Sequence, residues 1–167
     1  MSPENSNINR DLRGYFSIGV ENISKPMNLG NLIRSAHAFG ANSVFTVKPH
    51  PRIIEERDKI QKSDTSKSNI HIPYFEWNDI NEIKIPKACK LVGIEITEDA
   101  VDLPNFVHPI RAMYILGAEK GSLSDDAQER SDYIIKIPTK FSLNVAIAGA
   151  IVMYDRLKTL GKITRDN

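Results

Sequence analysis

The sequence predicts an α/β protein with a largely parallel sheet flanked by helices. Short apolar segments typical of strands alternate with segments whose apolar residues recur at helical spacing. The chain has 167 residues, of which 41% are hydrophobic and 26% charged, so it suits one ordinary domain and not wholesale disorder. No repeat at solenoid spacing is visible. Strands and helices that alternate within one domain are typical of helices packed on a parallel sheet.

The N-terminal part of the chain contains the clearest helical pattern. Residues 1–14 are polar and predict a flexible arm, and 15–20 predict a short buried strand. Gly40 can take the left-handed conformation that ends a helix, and 43–47 predict a second strand. The helix between the strands has one apolar face, formed at i, i+3, i+4, i+7 and i+10 by Leu29, Leu32, Ile33, Ala36 and Phe39.

Residues 48–71 differ in composition from the segments around them. They mix basic and acidic side chains with a small positive excess, and 63–69 contain no apolar residue. We interpret the stretch as a mobile surface excursion with one helical turn near Ile53–Ile60. Its charge fits either a surface that faces nucleic acid or a simple solvated loop, and the second interpretation is preferred.

The C-terminal half repeats the alternation of strands and helices. Ser124 is placed as an N-cap before two acidic residues, and Gly161 as the cap of the last helix, leaving 162–167 as a tail. The chain therefore reads as one domain over 15–161. Its remaining expected elements are an apolar patch at 74–77, a weak helix near 78–83, strands at 90–96, 112–116 and 133–137, and a helix from 142–144 to 160.

The last helix is apolar on every side between Val145 and Met153, with several small residues. A helix without a polar face must be covered all round, and one sheet covers only one side. We expect a homodimer interface here. The alternative is a central helix that is buried within a single chain.

Composition and motifs exclude several classes. The net charge of +1 is too even for a nucleic-acid-coating or acidic tail, and the single cysteine, Cys89, allows no intrachain disulfide. The longest apolar run is too short to span a membrane, and the N-terminus resembles no secretory signal, so a cytoplasmic location is expected.

Common catalytic and metal-binding signatures are also missing from the sequence. No dinucleotide-binding, P-loop or G-x-S-x-G motif occurs. We expect no metal, because the histidines have no ligand spacing; they are His37, His50, His71 and His108.

Three segments combine glycines with polar residues near helix starts or strand ends. The first segment places polar side chains at i, i+3 and i+6 of a helix, namely Asn28, Asn31 and Arg34. This arrangement suits a ribose-phosphate ligand, and the alternative is a helix cap with ordinary surface residues. Glu119 follows a strand in a segment with two glycines, where open α/β sheets place ligands. Ser142 and Asn144 begin the apolar helix, where they could hold a polar ligand or cap the helix. Each segment by itself also fits an ordinary structural role.

Together the three segments resemble the motifs of the SpoU/TrmH-type RNA ribose 2′-O-methyltransferases, a family of the SPOUT superfamily. The matches are N-x-G-N-x-x-R-x-A-x-x-F-G at 28–40, L-G-x-E at 116–119 and S-L-N-V-A at 142–146. The resemblance covers about 15–160. It departs from many members at Ser122, where they carry glycine, and in the short Thr139-Lys140-Phe141 loop.

The resemblance implies methyl transfer from S-adenosylmethionine to a ribose 2′-hydroxyl of tRNA or rRNA, with no metal. It also implies a C-terminal trefoil knot and a homodimer. The catalytic positions that it implies are Arg34, Asn28, Glu119, Ser142 and Asn144. The implied cofactor-binding positions are Leu116, Gly117, Ala118, Gly121, Ile137, Ser142, Leu143, Asn144 and Ala146.

Local charge must supply the affinity for RNA, because the net charge is almost nil. The candidates are Arg13, Lys25, Asn31, Arg34, Lys48, Arg52 and Lys140. The family assigns Arg34 as a general base, but a guanidinium is protonated at neutral pH, so we prefer a phosphate clamp that stabilises the developing alkoxide. A non-catalytic RNA-binding scaffold and a methyltransferase acting on another group are the competing hypotheses.

Overall fold

A computed structural model describes residues 14–62 and 72–160 of the chain. The expected N-terminal arm (apart from Gly14), the end of the 48–71 stretch, Gly161 and the tail at 162–167 lie outside the described residues. Arg13 and His71 also lie outside them.

Within the described residues, seven strands form one sheet in which every neighbouring pair is parallel, which confirms the predicted α/β class with a parallel sheet. The order across the sheet is β3-β2-β1-β6-β4-β7-β5. β5 was not predicted, because two residues carry no periodic pattern. The strands are β1 Tyr15–Glu21, β2 Ser43–Val47, β3 Tyr74–Trp77, β4 Lys90–Ile94, β5 Val101–Asp102, β6 Arg111–Leu116 and β7 Tyr133–Lys136.

Helices cover both faces of the sheet unequally. The larger core lies under α1 (Pro26–Ala38), α2 (Pro51–Lys62) and α4 (Val145–Thr159). The smaller core lies under α3 (Asp125–Arg130) and the segment that includes a short 3₁₀ turn at Ile80–Glu82. A second 3₁₀ turn spans Leu103–Asn105. Cys89 is buried in the smaller core, as expected of a small apolar side chain.

α1 follows the sequence pattern closely. Pro26 begins the helix, where its fixed φ fits and its missing N–H needs no partner. Leu29, Leu32 and Ile33 are buried against the sheet. Gly40 has φ +77°, which confirms the left-handed residue expected after the helix.

α2 differs from the single turn expected within the 48–71 stretch. It is a helix of 12 residues that packs against α1. Ile53 and Ile60 are buried at i and i+7, so one narrow apolar stripe holds an otherwise charged helix on the core. The sequence pattern did not predict the full length of this helix, because few of its positions are apolar and most are charged.

Among the residues that the structure describes, α4 is covered on one side only. At Gly149 an added Cβ would lie 2.6 Å from Leu32 Cδ1, so glycine permits the close approach of α4 to α1. Ile147 and Tyr154 on the uncovered side are 54% and 52% exposed. Residues 14–62 and 72–160 therefore do not cover α4 all round, as the alternative of a central buried helix requires.

Among the helices within residues 14–62 and 72–160, none has the length and apolar character needed to cross a bilayer.

Candidate active site

A pocket opens at the carboxyl edge of the sheet, where the chain leaves β4, β6 and β7. The pocket is open to solvent, and the space within it, including the open space at its mouth, is about 610 Å³. Eight of the residues named from the sequence line it: Leu116, Gly117, Ala118, Glu119, Gly121, Ile137, Ser142 and Leu143. Asn144 and Ala146 do not line it. The Asn144 side chain caps α4, and Ala146 is buried in the larger core.

Seven further residues line the pocket and were not expected from the sequence. The end of β4 contributes because it lies beside β6 in the sheet, an adjacency that the chain order does not show. These residues are Ile94, Glu95, Ile96, Lys136, Thr139, Val145 and Ala148.

A chain of hydrogen bonds joins all three motif segments beside this pocket. Asn28 Nδ2 donates to Glu119 Oε1 at 3.0 Å, and Asn144 Nδ2 donates to Asn28 Oδ1 at 3.0 Å. Asn144 Oδ1 then accepts from the backbone N–H groups of Ala146 and Ile147, which caps α4. Asn28 therefore connects residues that are 91 and 116 positions away in the sequence.

Glu119 holds the loop that precedes α1. Its carboxylate accepts from the backbone and hydroxyl of Ser24 and from the backbone N–H of Lys25, besides Asn28. Partial burial acts to raise the pKa of Glu119, but the hydrogen bonds from Asn28 and from backbone N–H groups outweigh it and lower that pKa. Glu119 is thus an ionised anchor whose oxygens are already occupied.

The loop at 117–124 follows β6, lines the pocket and is here called the pocket loop. Two other carboxylates fix its far end. Glu95 Oε2 accepts from the backbone N–H of Leu123 at 2.6 Å. Buried Glu21, at the end of β1, accepts from both the backbone and the hydroxyl of Ser124. That hydroxyl also accepts from the backbone of Ala127, which confirms Ser124 as the N-cap of α3. Sequence pattern gave no signal for Glu21, because its partner is 103 positions away.

The pocket loop requires glycine at two positions. At Gly117 an added Cβ would lie 2.6 Å from the backbone N of Leu123, so no side chain fits where the loop folds back. Gly121 has φ +148°, a conformation that other residues rarely adopt.

Arg34 does not line this pocket. It lies six positions after Asn28, a rise of about 9 Å along α1. Its side chain is exposed and lines a separate hollow together with Asn31. The structure therefore brings Asn31 and Arg34 together but directs Asn28 away from them, in contrast to the single polar face expected from the i, i+3, i+6 spacing.

The other candidate RNA-binding residues are scattered over the surface. Lys25, Lys48, Arg52 and Lys140 are all exposed. Lys48 pairs with Asp79 at 3.5 Å, and Arg52 with Glu56 at 3.4 Å. Surface pairs of this kind contribute little stability, so they leave these cations able to exchange partners. Within the part of the chain that the structure describes, no group of three potential metal ligands is found.

The pocket combines apolar and polar lining. Ile94, Leu116, Ile137 and Leu143 give it apolar walls, and the loops that follow β6 and β7 contribute polar residues. The fold and pocket together define a parallel α/β protein with a ligand site built from loops at the carboxyl edge of its sheet.

The chain belongs to the SpoU rRNA Methylase family, whose model matches residues 15–154. It is 26% identical over 155 residues to the tRNA (guanosine(18)-2′-O)-methyltransferase TARBP1 of Mus musculus, covering 83% of this chain and 9% of that protein. It is 24% identical over 161 residues to the tRNA (guanosine(18)-2′-O)-methyltransferase of Escherichia coli K12, covering 91% of this chain and 68% of that protein.

Solved structures support the same fold. The SpoU methyltransferase AviRb from Streptomyces viridochromogenes, in complex with the cofactor AdoMet, superposes with a TM-score of 0.69 at 21% identity. The match covers 87% of this chain and 60% of AviRb. The A. aeolicus TrmH/SpoU tRNA modifying enzyme matches with a TM-score of 0.63 at 17% identity, over 95% of this chain and 84% of that one.

Proposed function

We propose that this protein transfers a methyl group from S-adenosylmethionine to a ribose 2′-hydroxyl of structured RNA, either tRNA or rRNA. The observation that carries the proposal is the hydrogen-bonded chain Glu119–Asn28–Asn144 at the edge of the pocket that the loops after β6 and β7 line. Family membership and relatives named as tRNA and rRNA 2′-O-methyltransferases support the same reaction. We place the protein in the cytoplasm, where it would meet such RNA.

The pocket residues hold the methyl donor. S-adenosylmethionine supplies an electrophilic methyl group on a positively charged sulfur. Gly117 and Gly121 shape the loop around the ligand, while Ile137 and Leu143 provide apolar contact. Exposed Ser142 and half-buried Lys136 are among the polar residues that line the pocket. In-line positioning can lower a barrier by up to ~7–11 kcal/mol in the best cases, so a rigid pocket is itself catalytic.

Three hydrogen-bonded side chains contribute to the rigidity of the site. Asn28, Glu119 and Asn144 form hydrogen bonds with one another, and Glu119 and Asn144 also accept hydrogen bonds from backbone N–H groups. We assign them positioning roles in the active site. Ser142 makes no hydrogen bond within residues 14–62 and 72–160, so its hydroxyl is available to a ligand.

Arg34 acts on the RNA. A guanidinium can clamp a phosphate or stabilise negative charge on the ribose oxygen. Because Arg34 does not line the pocket of its own chain, we propose that a second copy completes the site in a homodimer. The exposed apolar side of α4, with Ile147 and Tyr154, supports such an interface.

A heterodimer experiment tests this arrangement. Differently tagged Arg34→Ala and Gly117→Ala chains are co-expressed, and the mixed dimer is purified through both tags. If Arg34 serves the partner's pocket, each single-variant dimer is inactive, and the mixed dimer regains about half of the normal activity from one complete site. An inactive mixed dimer would contradict the shared site.

We also propose that the C-terminal part is threaded as a trefoil knot. Support comes from the closeness of the 116–124 and 137–144 loops, which line one pocket, and from the likeness to SpoU structures. Sheet periodicity does not report threading, because the general expectation is an unknotted chain.

A calorimetric titration with S-adenosylmethionine separates the enzyme from a non-catalytic RNA-binding scaffold. The enzyme requires saturable heat that Gly117→Ala removes and Arg34→Ala leaves nearly unchanged. RNA binding without such heat would favour the scaffold.

A further inference from the structure

A second depression, here called the helical hollow, lies between α1 and α2 and is distinct from the pocket at the sheet edge. It has a volume of about 790 Å³ and is open to solvent. Its lining comes from the part of α1 between Pro26 and Arg34 and from the end of α2. It comprises Pro26, Met27, Gly30, Asn31, Arg34, Lys59 and Ile60.

The helical hollow is positively charged. Arg34 and Lys59 are the ionisable residues in its lining, both are exposed, and no carboxylate lines it. Neither cation makes an ion pair with any residue in 14–62 or 72–160. Other basic residues on the same part of the surface are paired, as Arg52 is with Glu56. The two unpaired cations therefore face a shared space.

The packing of α2 places Lys59 at the same hollow as Arg34. Ile60, the next residue, is 6% exposed and anchors the last turns of α2 in the larger core. Both helices begin at the carboxyl edge of the sheet. Arg34 lies eight positions after the first residue of α1, and Lys59 lies eight positions after the first residue of α2. Both side chains therefore leave their helices about 12 Å from that edge, which places them at the same level.

We propose that Arg34 and Lys59 together bind one phosphodiester of the RNA substrate in the helical hollow, with the Asn31 amide as an added hydrogen-bond donor. A planar guanidinium can hold two phosphate oxygens, while an ammonium adds charge from a flexible stem. The proposal rests on the proposed function, since an RNA chain supplies the repeated phosphates. The proposal gives α2 a role in binding phosphate. The small excess of positive charge in the 48–71 stretch did not by itself establish that role.

Salt-dependent RNA binding tests the proposal. The probe is a fluorescein-labelled tRNA transcript, and its affinity is measured by anisotropy between 50 and 200 mM salt (roughly the range over which counterion release is large). Lys59→Ala should weaken binding about 3- to 10-fold and reduce the slope of log affinity against log salt by roughly one. Lys59→Arg should keep most of the affinity.

Lys87→Ala is the matched control. Lys87 is exposed and precedes β4, at the opposite edge of the sheet, so its loss removes the same charge without touching the helical hollow. Unchanged affinity and slope in Lys59→Ala, or an equal loss in Lys87→Ala, would overturn the proposal. Equal competition by polyglutamate and by unlabelled tRNA would overturn the assignment to RNA.

A double variant tests whether the two cations share one phosphate. If they do, Arg34→Ala and Lys59→Ala together should cost less than the product of their separate fold-losses. Strictly multiplicative losses would contradict a shared phosphate.

Calorimetry with S-adenosylmethionine on the same proteins keeps this result separate from the proposed function. Failure of the wild type to bind the cofactor would refute the methyl transfer, whereas cofactor binding combined with an unaffected Lys59→Ala would refute only the phosphate site.

Discussion

Asn28 should be the residue whose loss most directly uncouples the three motif segments. It is 7% exposed and makes one hydrogen bond to the Glu119 carboxylate and one to the neutral Asn144 amide. Net contributions of about 1.5–3 kcal/mol for the charged bond and about 0.5–1.5 kcal/mol for the neutral one are typical. Because Glu119 is only partly buried and keeps other donors, the lower end applies. We expect Asn28→Ala to reduce the free energy of unfolding by about 2 kcal/mol.

Urea denaturation at pH 7 measures this loss, and Asn31→Ala is the control. Asn31 lies on the same helix but is exposed, so its substitution should change stability by no more than about 0.5 kcal/mol. Equal stabilities of the Asn28→Ala and Asn31→Ala proteins would refute the reasoning.

A second substitution at the same position tests the electrostatic part of the argument. Asn28→Asp replaces the amide donor with a carboxylate facing Glu119, and two such groups repel until one binds a proton. The Asn28→Asp protein should therefore gain stability relative to Asn28→Ala as the pH falls from 7 towards 4. A difference that does not depend on pH would contradict an ionised Glu119 at this position.

Three other substitutions have defined outcomes. Gly117→Ala should abolish cofactor binding in calorimetry while the protein stays folded by circular dichroism, because the added carbon meets the backbone of Leu123; retained affinity would mean that the loop relaxes freely. Gly149→Ala should cost up to about 2 kcal/mol in urea denaturation, because displacing Leu32 between α1 and α4 costs about 1–3 kcal/mol while alanine is favoured over glycine inside a helix by about 1 kcal/mol. Burial lowers the pKa of His108 more than its Asp155 contact raises it, so stability should fall as the pH drops below about 6.5. His108→Gln should lessen that fall, and an unchanged profile would mean that another group causes it.

The sequence predicts the fold well where periodicity is strong. The strand at 43–47 has the expected bounds, and α1 has the expected apolar face. α2 was underestimated because only Ile53 and Ile60 anchor it, and a narrow stripe among charged residues resembles a solvated turn. Helix α4 was recognised as too apolar for one sheet, and its uncovered side is consistent with that argument.

The candidate site was predictable in its residues and not in its contacts. The three motifs identified Asn28, Glu119 and Asn144, but spacing along a chain cannot show that these side chains bond to one another. The same holds for Glu21, whose partner Ser124 is far away in sequence, and for Lys59, which lines the same hollow as Arg34 only because two helices pack together. Such long-range contacts depend on the order of strands in the sheet, which local patterns do not determine.

The most direct test of the proposed reaction follows the methyl group itself. The protein is incubated with S-adenosylmethionine carrying a labelled methyl group and with unmodified tRNA and rRNA, and the RNA is digested to nucleosides for mass spectrometry. The proposed function predicts label in a 2′-O-methylnucleoside, with none in reactions that contain Arg34→Ala. Label on a base, or equal ribose methylation by the Arg34→Ala protein, would contradict it.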